Sequence, residues 1–316
     1  MIMKKIQFNF MGMRKVTSIV SASLIIFSIS TLSYQGLNLG IDFTGGTLVE
    51  VGYPEAVNLD KLRQSFSDSE FNDVAIQYFG SAKEILIRIP PQQGLNSADV
   101  SSKLLDLLSS NNFSAEMRRV EFVGPQVGEE LREDGGLAML YALLCIMVYI
   151  AFRFQMRFSV GAVSALIHDV IITLGFFSIT RFNFDLTILA ALLAVIGYSL
   201  NDTIVVFDRV RENFRKIRDK TPVEVFNISL NQTLSRTLMT SFTTLLVLIA
   251  LFLLGGEIIH GFSMALIFGV LIGTYSSIYI ASPVTLTLGI KKEDLMPVKK
   301  EGVDLENQPW YSFQKQ

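Results

Sequence analysis

Six long apolar runs govern what this chain can become. They occupy residues 16–34, 135–152, 158–180, 184–207, 237–256 and 261–290. A helix rises 1.5 Å per residue, so about 20 mostly apolar residues cross the roughly 30 Å of hydrocarbon in a bilayer. Each run meets that length or comes close to it. Within lipid, backbone amides have to be paired inside their own segment, so the runs are expected as membrane-crossing helices. Composition agrees. Half of the 316 residues are apolar and 18% are charged, against about 25% in an ordinary soluble domain. Lys4, Lys5, Arg14 and Lys15 give the first run the flank of a signal peptide. Its length and the absence of a small-x-small closing site favour an uncleaved anchor. Pro283 is expected to end or kink the last run.

The positive charges alternate from loop to loop. Arg153 and Arg157 lie between runs two and three. Arg209, Arg211, Arg215, Lys216, Arg218 and Lys220 lie between runs four and five, and Lys291, Lys292, Lys299 and Lys300 follow run six. The intervening loops hold only Arg181, or no basic residue near Glu257 and His260. The positive-inside rule then places both termini in the cytoplasm, with residues 1–15, the 208–236 loop and the polar 291–316 tail.

Residues 35–134 are left on the outer, periplasmic side, and they are patterned like a small domain. Thr47–Tyr53 alternates as a strand, and Leu59–Phe66 has helical spacing. Val74–Phe79 and Ile85–Ile89 read as strands joined by a short turn. Ala98–Leu108 is a second helix and Ala115–Val123 a last strand. Pro90, Pro91 and Gly94 mark a loop before the second helix. The order β-α-β-β-α-β is that of a ferredoxin-like split unit. The fold class expected is a polytopic α-helical membrane protein, with six transmembrane helices and an extracytoplasmic α+β ferredoxin-like domain. In the 208–236 loop, Thr221-Pro222-Val223-Glu224 forms a capping box that should open a short helix leading to Arg236.

Catalytic chemistry has little to work with. One cysteine, Cys145, and two histidines cannot make a disulfide or a typical zinc site. No Walker loop, His-Glu-x-x-His or Gly-x-Ser-x-Gly occurs. The chain is expected to be no enzyme and to hold no cofactor or metal. Energy for any work would come from an ion gradient or a partner.

Ionisable residues inside a membrane cost roughly 2.5–3.5 kcal/mol on insertion scales, which makes them functional candidates. Asp202 lies six residues before the charged end at Asp208, about 9 Å deep at helical rise. Arg236 opens run five on the same side, and a long arginine leans along its helix. The two are expected within reach of each other. An apolar surround and a nearby arginine pull the protonation of Asp202 in opposite directions. A proton-coupled device and a static ion pair that fixes packing both fit these residues. His168 and Asp169 in run three are the secondary candidates, with Asn201 beside Asp202. The first two point about 100° apart, and Asp169 shares a face with Gly161, Ala165 and Thr173. Buried polar groups satisfied by a neighbouring helix and a relay role are both open for them. Run six carries Gly261, Ala265, Gly269, Gly273, Ser277 and Ala281 at strict spacing four, and run four a shorter stripe of Ala190, Ala194, Gly197 and Asn201. Such stripes let a helix approach closely.

Several stretches are similar to one family. Gly40-Ile41-Asp42-Phe43-Thr44-Gly45-Gly46-Thr47 resembles a signature of the SecF protein-export family. Val123-Gly124-Pro125-Gln126-Val127-Gly128, Ile167-His168-Asp169 and Ser235-Arg236-Thr237 fit it too. The strongest match runs from Gly197 through Asn201-Asp202-Thr203 to Arg209. The resemblance implies pairing with SecD in a twelve-helix unit of the resistance-nodulation-division type, association with the SecYEG channel, and use of a proton or sodium gradient to help draw secreted polypeptides across the bacterial inner membrane. It implies that Asp202 and Arg236 belong to the ion path. It says less about His168 and Asp169. Half a unit of a small-molecule or lipid exporter is the rival reading. The small size of the outer domain and the Asp-Phe-Thr-Gly-Gly run weigh against it.

Overall fold

The computed structural model of the chain describes residues 8–67, 71, 74–91, 97–110, 115–217 and 219–290. Lys4, Lys5, Gly94, Arg218 and the expected 291–316 tail lie outside these residues.

A helix α1 (Arg14–Gln35) leads to a one-turn helix α2 (Ile41–Thr44) and then to β1 (Gly46–Gly52). Next come α3 (Leu59–Ser67), β2 (Ala75–Phe79), β3 (Ser81–Ile89), α4 (Ser97–Ser110) and β4 (Glu116–Val123). The strands form one antiparallel sheet in the order β2-β3-β1-β4. That is the ferredoxin-like arrangement expected from the sequence. One face of the sheet packs on the two helices. Val49, Val51, Ile85, Ile87 and Ile89 meet Leu62, Phe66, Val100 and Leu104 in a closed apolar core. Alternation along β1 supplies the inward side chains from every second position.

Five more long helices follow or complete the bundle: α5 (Pro125–Arg153), α6 (Met156–Thr180), α7 (Leu186–Lys216), α8 (Pro222–Leu254) and α9 (Glu257–Ser276). A π-helical turn (Ser277–Ala281) and α10 (Ser282–Thr287) continue α9. Among the described residues, six helices are long and apolar enough to cross a membrane. Their outward faces carry bare apolar side chains such as Ile19, Leu140, Val247 and Leu253, as lipid contact requires.

Several helix boundaries differ from the apolar runs. α7 continues to Lys216, nine residues into the expected 208–236 loop, because its last two turns are polar but unbroken. α9 starts at Glu257. α5 starts ten residues early because Gly124 and Pro125 make a helix start, and hydropathy reports only the apolar part. α8 is one unbroken helix of 33 residues from the capping box onward. Thr221 and Glu224 make both reciprocal bonds of that box. Arg236 therefore sits inside a helix rather than at the start of one. Pro283 does not end the last helix, which runs on to Thr287. The π turn just before Pro283, bonded at a spacing of five, falls where the N–H that proline lacks would otherwise be the donor.

The small-residue stripe of run six meets helices of this same chain. A Cβ on Gly269 would overlap Val195, and one on Gly273 would sit 2.9 Å from Ser199 Cβ, both on α7. The α7–α9 contact is the broadest between any two helices. The shorter stripe on α7 behaves oppositely. Ala190, Ala194, Gly197 and Asn201 are exposed, and a Cβ on Gly197 would meet nothing.

Candidate functional site

α7 and α8 run antiparallel, and their side chains give the register. Asn213 Nδ2 donates to Ser229 Oγ at 2.8 Å and to Gln232 Oε1 at 2.9 Å. Further along, the Tyr198 hydroxyl reaches Ser241 Oγ at 3.5 Å. One turn from that contact, the same register brings Asp202 opposite Thr237, with Arg236 next in sequence. Asp202 is 2% exposed, and its Oδ2 has no hydrogen-bond partner. Arg236 is the charged group that acts on it through space, without a direct ion pair. The hydroxyls of Thr203 and Thr237 are also buried and unpartnered. A buried polar atom left unmade costs about 1–3 kcal/mol. Asp202 and Thr237 put two such atoms on the facing sides of α7 and α8, a seam that can take up a proton, water or a small cation. Thr203 instead shares its helix face with Ser199. Asn201 stands on the exposed side of α7, so it faces away from the seam.

His168 and Asp169 form a second polar centre. Asp169 is fully buried. Its Oδ1 lies 2.9 Å from His168 Nδ1. Its Oδ2 accepts from Ser199 Oγ on α7 at 2.6 Å and from Ser276 Oγ on α9 at 2.7 Å. His168 Nε2 has no partner, and the ring stacks beside Tyr275 with centroids 6.1 Å apart. The Tyr275 hydroxyl lies 3.0 Å from Ser21 Oγ and donates to the Thr17 carbonyl at 3.1 Å on α1. Four helices thus meet through one aspartate, one histidine and one tyrosine. In the sequence Ser277 stands only as a small residue in a stripe, and no pattern sets Ser199, Ser276 or Tyr275 apart. Their only signal is that each falls on a close-packed helix face, where a hydroxyl has to find a partner.

The sheet domain is fastened to the bundle by the segment before β1. Gly40 N–H donates to the Phe184 carbonyl at 2.7 Å, and Phe184 N–H donates to the Asn38 carbonyl at 2.7 Å. Leu39 and Phe184 make an isolated parallel bridge. Asp42 Oδ2 accepts from the N–H of Leu186, the first residue of α7, at 3.0 Å. Asp185 caps the same helix by accepting from Ile188 N–H at 2.9 Å. Phe43 stacks on Phe184 with centroids 5.9 Å apart. Gly45 (φ +70°) and Gly46 (φ +121°) adopt backbone shapes that other residues disfavour. A Cβ on Gly45 would lie 2.7 Å from Pro125 Cα at the start of α5. Arg88 of β3 donates to the Leu39 carbonyl at 3.2 Å. Burial draws Arg88 below its ordinary range, and Asp185 and Asp42 oppose that. Beside this clamp a cleft of about 620 Å³ opens between the bare face of the sheet and the loops, lined by Leu48, Glu50, Arg88, Arg181 and His260 among others.

Residues 103–291 match the family model described as protein export membrane protein SecD/SecF, C-terminal, and residues 35–53 match the SecD/SecF GG motif. The protein translocase subunit SecF of Vibrio alginolyticus is 52% identical over 304 residues, covering 95% of this chain and 96% of its own. That of Escherichia coli O157:H7 is 48% identical over 289 residues, covering 90% of each. The crystal structure of SecDF, a translocon-associated membrane protein from Thermus thermophilus, superposes with a TM-score of 0.83 at 37% identity and covers 91% of this chain. The chain spans 39% of the length of that solved protein. SecDF in its Super-membrane-facing form gives a TM-score of 0.68.

Proposed function

The chain belongs to the SecD/SecF family of protein-export membrane proteins, and from that premise we propose that it couples an ion gradient to the export of polypeptides through the pair Asp202 and Arg236. A role in Sec protein export follows from its SecF relatives. The observation that carries the coupling is Asp202 itself. It is a carboxyl buried across from Arg236 without an ion pair, with the unpartnered Thr237 hydroxyl opposite it in the α7–α8 register.

In this reading a proton or a sodium ion arrives at Asp202 and neutralises it. The attraction to Arg236 then falls, since the interaction of two charges at short range is several kcal/mol in a low-dielectric seam. α7 and α8 shift against each other, and the shift moves the sheet domain. Support for such motion comes from the relative solved in a second form, on which the chain superposes less closely. The His168–Asp169 centre holds α6, α7 and α9 together as one block that shifts against α8. No other chemistry is asked of it.

The loops rich in lysine and arginine lie on the side away from the sheet domain. By the positive-inside rule that side is the cytoplasm and the domain is periplasmic, in a bacterial inner membrane. The bare stripe of Ala190, Ala194, Gly197 and Asn201 suits close contact with a helix of SecD, the partner joined to SecF in the name SecDF. The SecYEG channel and the emerging polypeptide complete the assembly.

Export of a secreted protein into membrane vesicles tests the proposal. The vesicles carry an imposed proton gradient, or separately a sodium gradient, with wild type or Asp202→Asn. One of the two ions raises export by wild type and leaves Asp202→Asn at its gradient-free level. Equal gain in both chains would refute the coupling role.

A further inference from the structure

We infer that Asp42 is the positioning residue that locks the outer end of α7 to the sheet domain, so that a shift of the helix carrying Asp202 reaches the domain instead of being lost in a loop. The inference rests on the coupling function proposed above and assigns the joint through which it acts.

The geometry singles out Asp42 for this task. α7 does not need it in order to start, because Asp185 already caps its first turn. The carboxylate of Asp42 comes instead from a different segment and takes the N–H of Leu186, one of the amides a helix leaves free at its start. A carboxylate there also meets the positive end of the helix dipole. The neighbouring backbone pair, Gly40 with Phe184 and Phe184 with Asn38, joins strand-like segment to loop. Asp42 carries the hydrogen bonding of the joint into the helix proper, beside Phe43, which packs in one buried cluster with Ile188, Ala191 and Leu192 of α7. On its other side the segment passes directly into β1 through Gly45 and Gly46, and those glycines are pressed against Pro125 and against the Ile89 carbonyl. Arg88, rooted in β3, donates to Leu39 and feels both Asp42 and Asp185. Sheet, clamp and helix thus share one charged junction. From Leu186 to Asp202 is sixteen residues, or about 24 Å of continuous helix at 1.5 Å per residue. A packed helix of that length moves as a rod.

The test uses the full chain assembled with its partner in vesicles and reads two quantities, gradient-dependent export and ion uptake. Asp42→Asn keeps an acceptor oxygen, and asparagine caps helix starts as well as aspartate does. It is expected to export at close to the wild-type rate. Asp42→Ala removes the joint. Its gradient-dependent gain falls about fivefold, while ion uptake stays within about twofold of wild type, the pattern of a severed coupling between two sites. Export by Asp42→Ala at the wild-type level would overturn the inference. So would equal loss of export and uptake, failure of the variant to assemble with the partner, or an Asp42→Asn as poor as Asp42→Ala. Each would make Asp42 dispensable or merely structural. Asp202→Asn run in parallel separates this inference from its premise. If Asp202→Asn exports like wild type, the coupling function itself fails. If it loses the gain while Asp42→Ala keeps it, only the joint is wrong.

Discussion

Ser199 of α7 and Ser276 of α9 donate to one and the same oxygen, Asp169 Oδ2, at 2.6 and 2.7 Å. Three helices are bound at that single atom. The arrangement makes their contributions to stability interdependent.

Removing either serine hydroxyl costs little, since interhelical hydrogen bonds in membrane proteins average about 0.6 kcal/mol and reach about 1.7. Ser199→Ala and Ser276→Ala are each expected in that range by thermal or denaturant unfolding in detergent. Their double mutant should depart from additivity by about 0.5 kcal/mol or more, because the two share an acceptor. Asp169→Ala removes the acceptor from Ser199 and the partner from His168 and leaves Ser276 only the Gly273 carbonyl, and is expected to destabilise more than the serine double mutant. Strict additivity of the two serines would mean that the shared oxygen has no energetic meaning.

Two glycines on facing helices should respond in opposite ways. Gly269→Ala forces a methyl into Val195, and overpacking of this kind costs about 1–3 kcal/mol. Gly197→Ala meets only open space in this chain, so its melting temperature should hold or rise slightly. The same Gly197→Ala should weaken co-purification with the partner, and a bulkier Gly197→Leu should abolish it. Unchanged pairing with Gly197→Leu would remove that face from the interface.

Thr203→Val and Thr237→Val delete hydroxyls that have no partner while keeping side-chain shape. Taking away an unsatisfied buried group is neutral or stabilising. Both variants are therefore expected to unfold no earlier than wild type, and Thr237→Val, opposite Asp202, to lose part of the ion-dependent gain in export that Thr203→Val keeps. A stability loss of about 1 kcal/mol or more in either would show that the hydroxyl is in fact bonded.

Burial in the sheet-domain core pushes the Tyr53 phenol from 10.0 up to about 12. Folding thus favours the protonated form. The stability it contributes is complete below about pH 10, where both folded and unfolded chains hold the proton, and declines as pH rises toward about 12. Alkaline unfolding of the domain should therefore begin at higher pH in Tyr53→Phe than in wild type, as followed by circular dichroism. Coincident curves would exclude the tyrosine.

The helices and the sheet were legible in the sequence because each follows a simple period. Apolar length marks the spans, and alternation such as Val49–Val51 marks the strands. Where hydropathy and helix part company the reading fell short. Nothing between Thr221 and Leu254 breaks a helix, so α8 runs straight through the polar-to-apolar boundary on which Arg236 lies. The charges Asp202 and Arg236 were visible because charge in an apolar run stands out. Ser199 and Ser276 were not, because a serine at a small-residue position looks like an alanine until its acceptor is known. Asp42 was noticed as part of a motif, but its bond to Leu186 spans 144 positions. No local pattern encodes a contact of that range.

Asn201 stands on the uncovered stripe of α7, with its amide turned toward whatever surrounds the bundle. In a lone chain that surrounding is hydrocarbon, where an unpaired amide is costly. A partner helix packed on that stripe, as proposed above, would cover the amide, which a lone subunit leaves bare. Cells making this chain without its partner should clear it faster than cells making both, and Asn201→Leu should lengthen the life of the orphan.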